Sequence, residues 1–171
     1  MTEIVQNGHK VLRQEAKPVT DKEFGSPSLS KIIDDMHKAL ATQADGVALA
    51  APQIAVSKRI FVVSPIVFKE EQLRDEIPLV YINPVIVKSS FDKKKMDEGC
   101  LSVRPLYGKV RRSSRVTVEA QDEHGESFSI TGTKLLAQIF QHEIDHLDGI
   151  LFIDKASDVV ALPLTNEQNE N

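Results

Sequence analysis

The chain has one cysteine, no tryptophan and few aromatics, with seven Phe and two Tyr in 171 residues. A single cysteine excludes an intramolecular disulfide, so no disulfide framework holds the fold. With so few rings, the core must be built mostly from Val, Ile and Leu. No apolar run approaches the ~18 residues that a membrane span needs. The start, Met1-Thr2-Glu3-Ile4, lacks the basic opening and apolar stretch of a signal peptide. Excess positive charge is missing as well: the formal net charge is -4. That argues against DNA binding by bulk charge. One basic group, Lys109, Arg111, Arg112 and Arg115, reads as an exposed approach to a strand. The expectation is a cytoplasmic protein, in a reducing compartment where a free thiolate survives.

The length suits one domain with a real core and is too short for two comfortable ones. Residues 1–25 carry short apolar clusters broken by Gly8 and Pro18, as an extended arm laid over a body does. Ser26-Pro27-Ser28 opens a helix. Leu29, Ile32, Ile33, Met36 and Leu40 give it one buried stripe, with Gly46 placed to stop it. His37 falls at the boundary of that stripe. Ile60 to Val63 reads as a buried strand, residues 69–78 as a charged loop, and Leu79 to Val87 as strand interrupted at Asn83-Pro84. Asp92 to Asp97 reads as a second charged loop. Val116 and Val118 alternate with polar residues as a half-buried strand does. Glu123-His124-Gly125 marks a hairpin turn, with strand returning from Phe128 to Ile130. A helix follows from Thr133 to Asp148, stopped by Gly149. The predicted fold is a single α+β domain over residues 1–155, its sheets twisted and mostly antiparallel, packed around this last helix. Residues 156–171 read as a polar, frayed tail.

The last helix carries His142-Glu143-Ile144-Asp145-His146. Two histidines four apart share a helix face, so both imidazoles can reach one metal ion. Glu143 beside them can take the proton of a water on that metal. Leu135, Gln138 and Ile139 lie on the same stripe, so the metal would end a partly apolar groove. Leu136, Phe140, Ile144 and Leu147 form a neighbouring stripe for burial. The third ligand decides the class. A metzincin would have a third histidine where this chain has Phe152. A thermolysin-like site would need a downstream carboxylate, for which Glu167 is the candidate. Cys100 is the better one, because two imidazoles and a thiolate leave a fourth position open.

Three segments resemble one family, the peptide deformylases. Gly46-Val47-Ala48-Leu49-Ala50-Ala51-Pro52-Gln53 is similar to its first signature, usually G-x-G-L-A-A-x-Q. Glu98-Gly99-Cys100-Leu101-Ser102 matches the second, E-G-C-L-S. Gln141-His142-Glu143-Ile144-Asp145-His146 matches the third, Q-H-E-x-D-H. Gly8 to Arg13 is similar too, so the likeness runs from about residue 4 to 154. The resemblance implies removal of the formyl group from the N-terminal formyl-methionine of new polypeptides. It implies Cys100, His142 and His146 as ligands of one divalent ion, Fe²⁺ in the cell, with Zn²⁺, Ni²⁺ or Co²⁺ in purified protein. It implies Glu143 as general base and acid, and Gln53 with the Leu101 N–H as stabilisers of the formyl oxygen. Leu135 and Ile139 offer a slot for the methionine side chain; by resemblance Val47 and Met96 help to line it. The backbone near Val47 and Ala48 would pair with the peptide.

Three departures stand out. Ala48 replaces the second glycine of the first signature. If that residue needs φ > 0, alanine costs about 1 kcal/mol; if φ is negative, almost nothing. Gln138 is polar on an apolar stripe. Many bacterial members end in a basic helix that docks on the ribosome, whereas here the tail after Asp154 is short and acidic to neutral. At most a transient ribosome contact is expected, by another route. The competing readings are a different zincin-type peptidase and a deformylase-like protein that binds without turnover.

Overall fold

Ser26 caps the first helix by accepting the Leu29 N–H on its hydroxyl at 3.2 Å. Pro27 then opens α1 (Pro27–Ala41), where its missing N–H costs nothing. Leu29, Ile33, Met36 and Leu40 are buried, as the period predicts. The helix ends before Gly46. Thr42 turns its hydroxyl back to donate to the Ala39 carbonyl at 2.7 Å, and the helix stops there. Gly46 is needed for close approach instead: a Cβ on it would lie 2.8 Å from Leu40 Cδ1. The computed structural model describes residues 2–70 and 77–162.

Eight strands are formed by the described residues. They are β1 (Ala48–Ala50), β2 (Ile60–Val63), β3 (Val80–Ser89), β4 (Lys93–Gly99), β5 (Leu106–Ser113), β6 (Arg115–Gln121), β7 (Ser127–Thr133) and β8 (Ser157–Ala161). A short helix, α2 (Ile66–Glu70), follows β2. The larger sheet runs β1-β2-β3-β6-β7 and the smaller β4-β5-β8, and every pairing is antiparallel. The α+β class holds, with one core helix against two antiparallel sheets.

Several local expectations change. Asn83-Pro84 does not interrupt β3; a register shift between Ile82 and Val85 absorbs it. Asn83 takes φ 51, which asparagine tolerates. Its side chain accepts the Val19 N–H at 2.8 Å and donates to the Val19 carbonyl at 2.9 Å, tying down the N-terminal arm. Residues 92–97 are not a loop. Lys93 to Gly99 pair with β5 along their whole length. β4 has no other neighbour among the described strands, and lysines on an exposed edge keep it from pairing with another chain. Within the segment expected as a tail, Ser157 to Ala161 form β8, paired with β5, and residues 163–171 lie outside the described residues. Residues 71–76 of the expected charged loop, and Glu167, lie outside the described residues.

The core forms around α3 (Lys134–Leu147). Phe140 and Leu136 are buried in one cluster with Phe61, Tyr81 and Val118 from the larger sheet. Phe61 stacks on Tyr81 at 4.5 Å, and Phe140 meets Tyr81 at 5.3 Å. This packing fixes the helix rotation, and with it the direction of the His142 and His146 face. Gly149 ends the helix at φ +73, where a Cβ would lie 2.9 Å from the Arg13 carbonyl carbon. Gly149→Ala is expected to cost about 1–3 kcal/mol, from the positive φ and from overpacking the arm. A chemical-denaturation midpoint equal to wild type would show that the arm simply moves aside.

Candidate metal centre and active site

α3 sets His142 and His146 one turn apart, and the chain leaving β4 brings Cys100 to them. One ligand atom from each of these three lies within 4.8 Å of the other two. Cys100 Sγ stands 3.2 Å from His146 Nε2. His142 donates Nδ1–H to Glu98 Oε1 at 2.5 Å, which turns its Nε2 toward the cluster. Burial pushes both rings toward the neutral form and lowers His146 well below its ordinary range. For His142 the contacts with Cys100 and Glu98 outweigh burial and raise it, so the surroundings of this ring attract positive charge.

Glu143 is 4 % exposed, and its Oε2 is buried without a hydrogen-bond partner among the described residues. Burial raises its carboxyl to about 7. An unpartnered buried carboxylate oxygen calls for an external partner. Together with two imidazoles and one sulfur, it fits a divalent ion and a water.

Gln53 is held from two sides. Its Oε1 accepts the Ala50 N–H at 2.8 Å, while its Nε2 donates to Ser102 Oγ at 3.1 Å and to Cys100 Sγ at 3.5 Å. A cavity of about 340 Å³ opens beside these groups, large enough for a residue side chain. Val47, Ala48, Leu101, Leu135 and Ile139 all line it. Met96 does not. It faces Val110 across the strands, one pleat repeat from Glu98 on the same face, and is not among the residues that line the cavity. Ala48 lies in β1, paired with Val63, and is not among the residues with positive φ. The glycine it replaces is therefore not needed for backbone conformation.

The family model described as polypeptide deformylase matches residues 1–161. The chain belongs to that family. A peptide deformylase of Heliobacterium modesticaldum is 48% identical over 153 residues, covering 90% of this chain and 92% of that protein. One from Halothermothrix orenii is 49% identical over 148 residues, covering 86% and 88%. The crystal structure of peptide deformylase from Thermotoga maritima superposes with a TM-score of 0.78 at 36% identity, covering 92% of this chain and 98% of that one. A Met-Ala-Ser-bound class I type b deformylase from Acinetobacter baumannii gives 0.79 at 33%, covering 91% and 99%. Membership makes the chain an enzyme of the peptide deformylase class.

Around this deformylase centre lies a layer that sequence reasoning missed. Arg112, expected on an exposed approach, is 3 % exposed. It donates to both oxygens of Glu98, at 2.5 and 3.1 Å, and to Asp145 at 2.6 Å. Burial pushes Glu98 up, but His142 and Arg112 outweigh it and hold the carboxyl at about 2. Glu98 is thus a fixed anion that orients His142. Gln141 ties α3 to β5 by accepting the Ser113 N–H and donating to the Ser113 carbonyl, both at 3.0 Å. Alternation was the available signal: Gly108, Val110 and Arg112 fall on the inward face of β5. Arg112→Leu takes the cation from the buried Glu98 and one of two cations from the half-buried Asp145, which keeps Lys155, and is expected to cost about 3–5 kcal/mol. Urea denaturation of metal-free protein measures it; a loss below 1 kcal/mol would mean that water reaches the pair.

Proposed function

We propose that the chain hydrolyses the formyl group from the N-terminal formyl-methionine of nascent polypeptides, with one divalent ion held by Cys100, His142 and His146. The observation that carries this reading is the convergence of these three donors beside Glu143, whose buried Oε2 has no partner among the described residues, at one end of a partly apolar cavity. The resemblance favours Fe²⁺ in the cell, with Zn²⁺, Ni²⁺ or Co²⁺ able to substitute. Bound there, the ion would supply Lewis acidity and make a water nucleophilic at neutral pH.

The chain's own residues do the rest. Glu143, with a carboxyl near 7, takes the proton of the attacking water and later delivers it to the departing amine. Water adds to the formyl carbon, the C–N bond breaks, and formate leaves. The Gln53 amide and the Leu101 N–H stabilise the developing oxyanion. Leu135, Ile139 and Val47 receive the methionine side chain, while β1 offers the peptide backbone an edge that no described strand pairs with. The Met-Ala-Ser peptide bound by the Acinetobacter relative supports a peptide ligand in this cavity.

The test is formate release from a formyl-methionyl peptide, using protein purified without oxygen and loaded with Fe²⁺ or Ni²⁺. Release that depends on Glu143 and Cys100 is expected. No release from folded, metal-loaded protein would overturn the reading in favour of a binding role.

A further inference from the structure

Gln138 stands on α3 between Leu135 and Ile139 on the cavity side, and it is 9 % exposed. Its Nε2 donates to the Asp97 carbonyl at 2.8 Å and to Glu98 Oε2 at 3.4 Å. A carbonyl and an ionised carboxylate can only accept, so the amide must turn its nitrogen to β4. The orientation of the side chain therefore follows from its partners. The planar amide then turns Oε1 away from these two acceptors, Gln138 lines the cavity, and Oε1 accepts no hydrogen bond among the described residues. An apolar occupant would strip this acceptor of water and replace it with nothing, a cost that a donor on the occupant avoids.

We propose that Gln138 is a specificity residue of the side-chain slot, giving an otherwise apolar wall one hydrogen-bond acceptor for a donor at the far end of the first residue's side chain. The proposal rests on the deformylase reading. Methionine and norleucine bring no such donor. A linear chain of equal length ending in a hydroxyl does, so the slot accepts it where a purely apolar slot rejects it. The same amide clamps Asp97 and Glu98 to α3, so Gln138 also has a positioning role through Glu98. That role affects all substrates alike.

The experiment compares three peptides on the metal-loaded enzyme: formyl-methionyl, formyl-norleucyl and formyl-5-hydroxynorvalyl. The last two differ only by a terminal methyl or hydroxyl. An apolar slot discriminates against the hydroxyl by about a hundredfold in kcat/KM. Wild type is expected to discriminate about tenfold less than that, and Gln138→Met to restore the larger ratio. Loss of the clamp lowers all three rates together and leaves their ratio unchanged, so the ratio isolates the slot. Wild-type discrimination near a hundredfold would overturn the proposal without reference to any variant. So would equal ratios in wild type and Gln138→Met. If wild type releases no formate from the formyl-methionyl peptide, the deformylase reading itself fails, and the proposal fails with it.

Discussion

Glu143→Ala is expected to fold, keep its ion and lose turnover by about 10²–10⁴-fold, the usual contribution of a positioned general acid–base. Glu143 lies beside the three-donor cluster without belonging to it. Its Oε2 has no partner among the described residues, so removing the carboxylate strands no donor there. The carboxylate therefore contributes little to holding the helix, which is what the proposed proton-transfer role requires. Burial supports the same role: a carboxyl raised to about 7 can both take and return a proton near neutrality. The measurement pairs metal content after gel filtration with formate release. A variant that arrives metal-free would assign Glu143 to the metal site. One that keeps metal and most of its turnover would remove it from the mechanism.

The metal helix was legible because two patterns coincide on it. The apolar stripe of Leu136, Phe140, Ile144 and Leu147 fixes its buried side, and the histidine spacing fixes what the neighbouring face presents. Cys100 was legible only through its neighbours, since a lone cysteine is more often a small buried hydrophobe. Glu98 and Arg112 were not legible. A charged residue in a strand reads as exposed, because burying it alone is costly. Here β4 and β5 set both charges on one inward face, where they neutralise each other beside Asp145. That register is a property of the sheet pairing, and no short motif encodes it. β4 itself resembles a loop in sequence because Lys93, Lys94 and Lys95 hide its alternation. They belong to an exposed edge, where charge protects the strand without breaking it. Ala48 shows the reverse case: the sequence left two costs open, and its backbone in β1 selects the negligible one.

Cys100→Ala is expected to lose more than about 100-fold in metal affinity, since even the hydrogen-bond partners of ligands are worth 10- to 100-fold, and turnover goes with the ion. The fold should tolerate the change. Cys100 is only half-buried, at the margin of the cluster formed by Val11, Leu12, Val103 and Phe152. Gln53 still donates to Ser102 and His142 still donates to Glu98, while His146 loses its Sγ contact and is held by its place on the buried face of α3. Circular dichroism should therefore match wild type while the metal is absent. The informative readout is the Co²⁺-substituted protein. Sulfur ligation gives a near-ultraviolet charge-transfer band that histidine and carboxylate ligands do not, and this band should vanish in the variant. A variant that retains its ion and turnover would move the third ligand elsewhere. The chain would then have to be read as a two-histidine site completed by a carboxylate, with Glu98 excluded because Arg112 and His142 already occupy both of its oxygens.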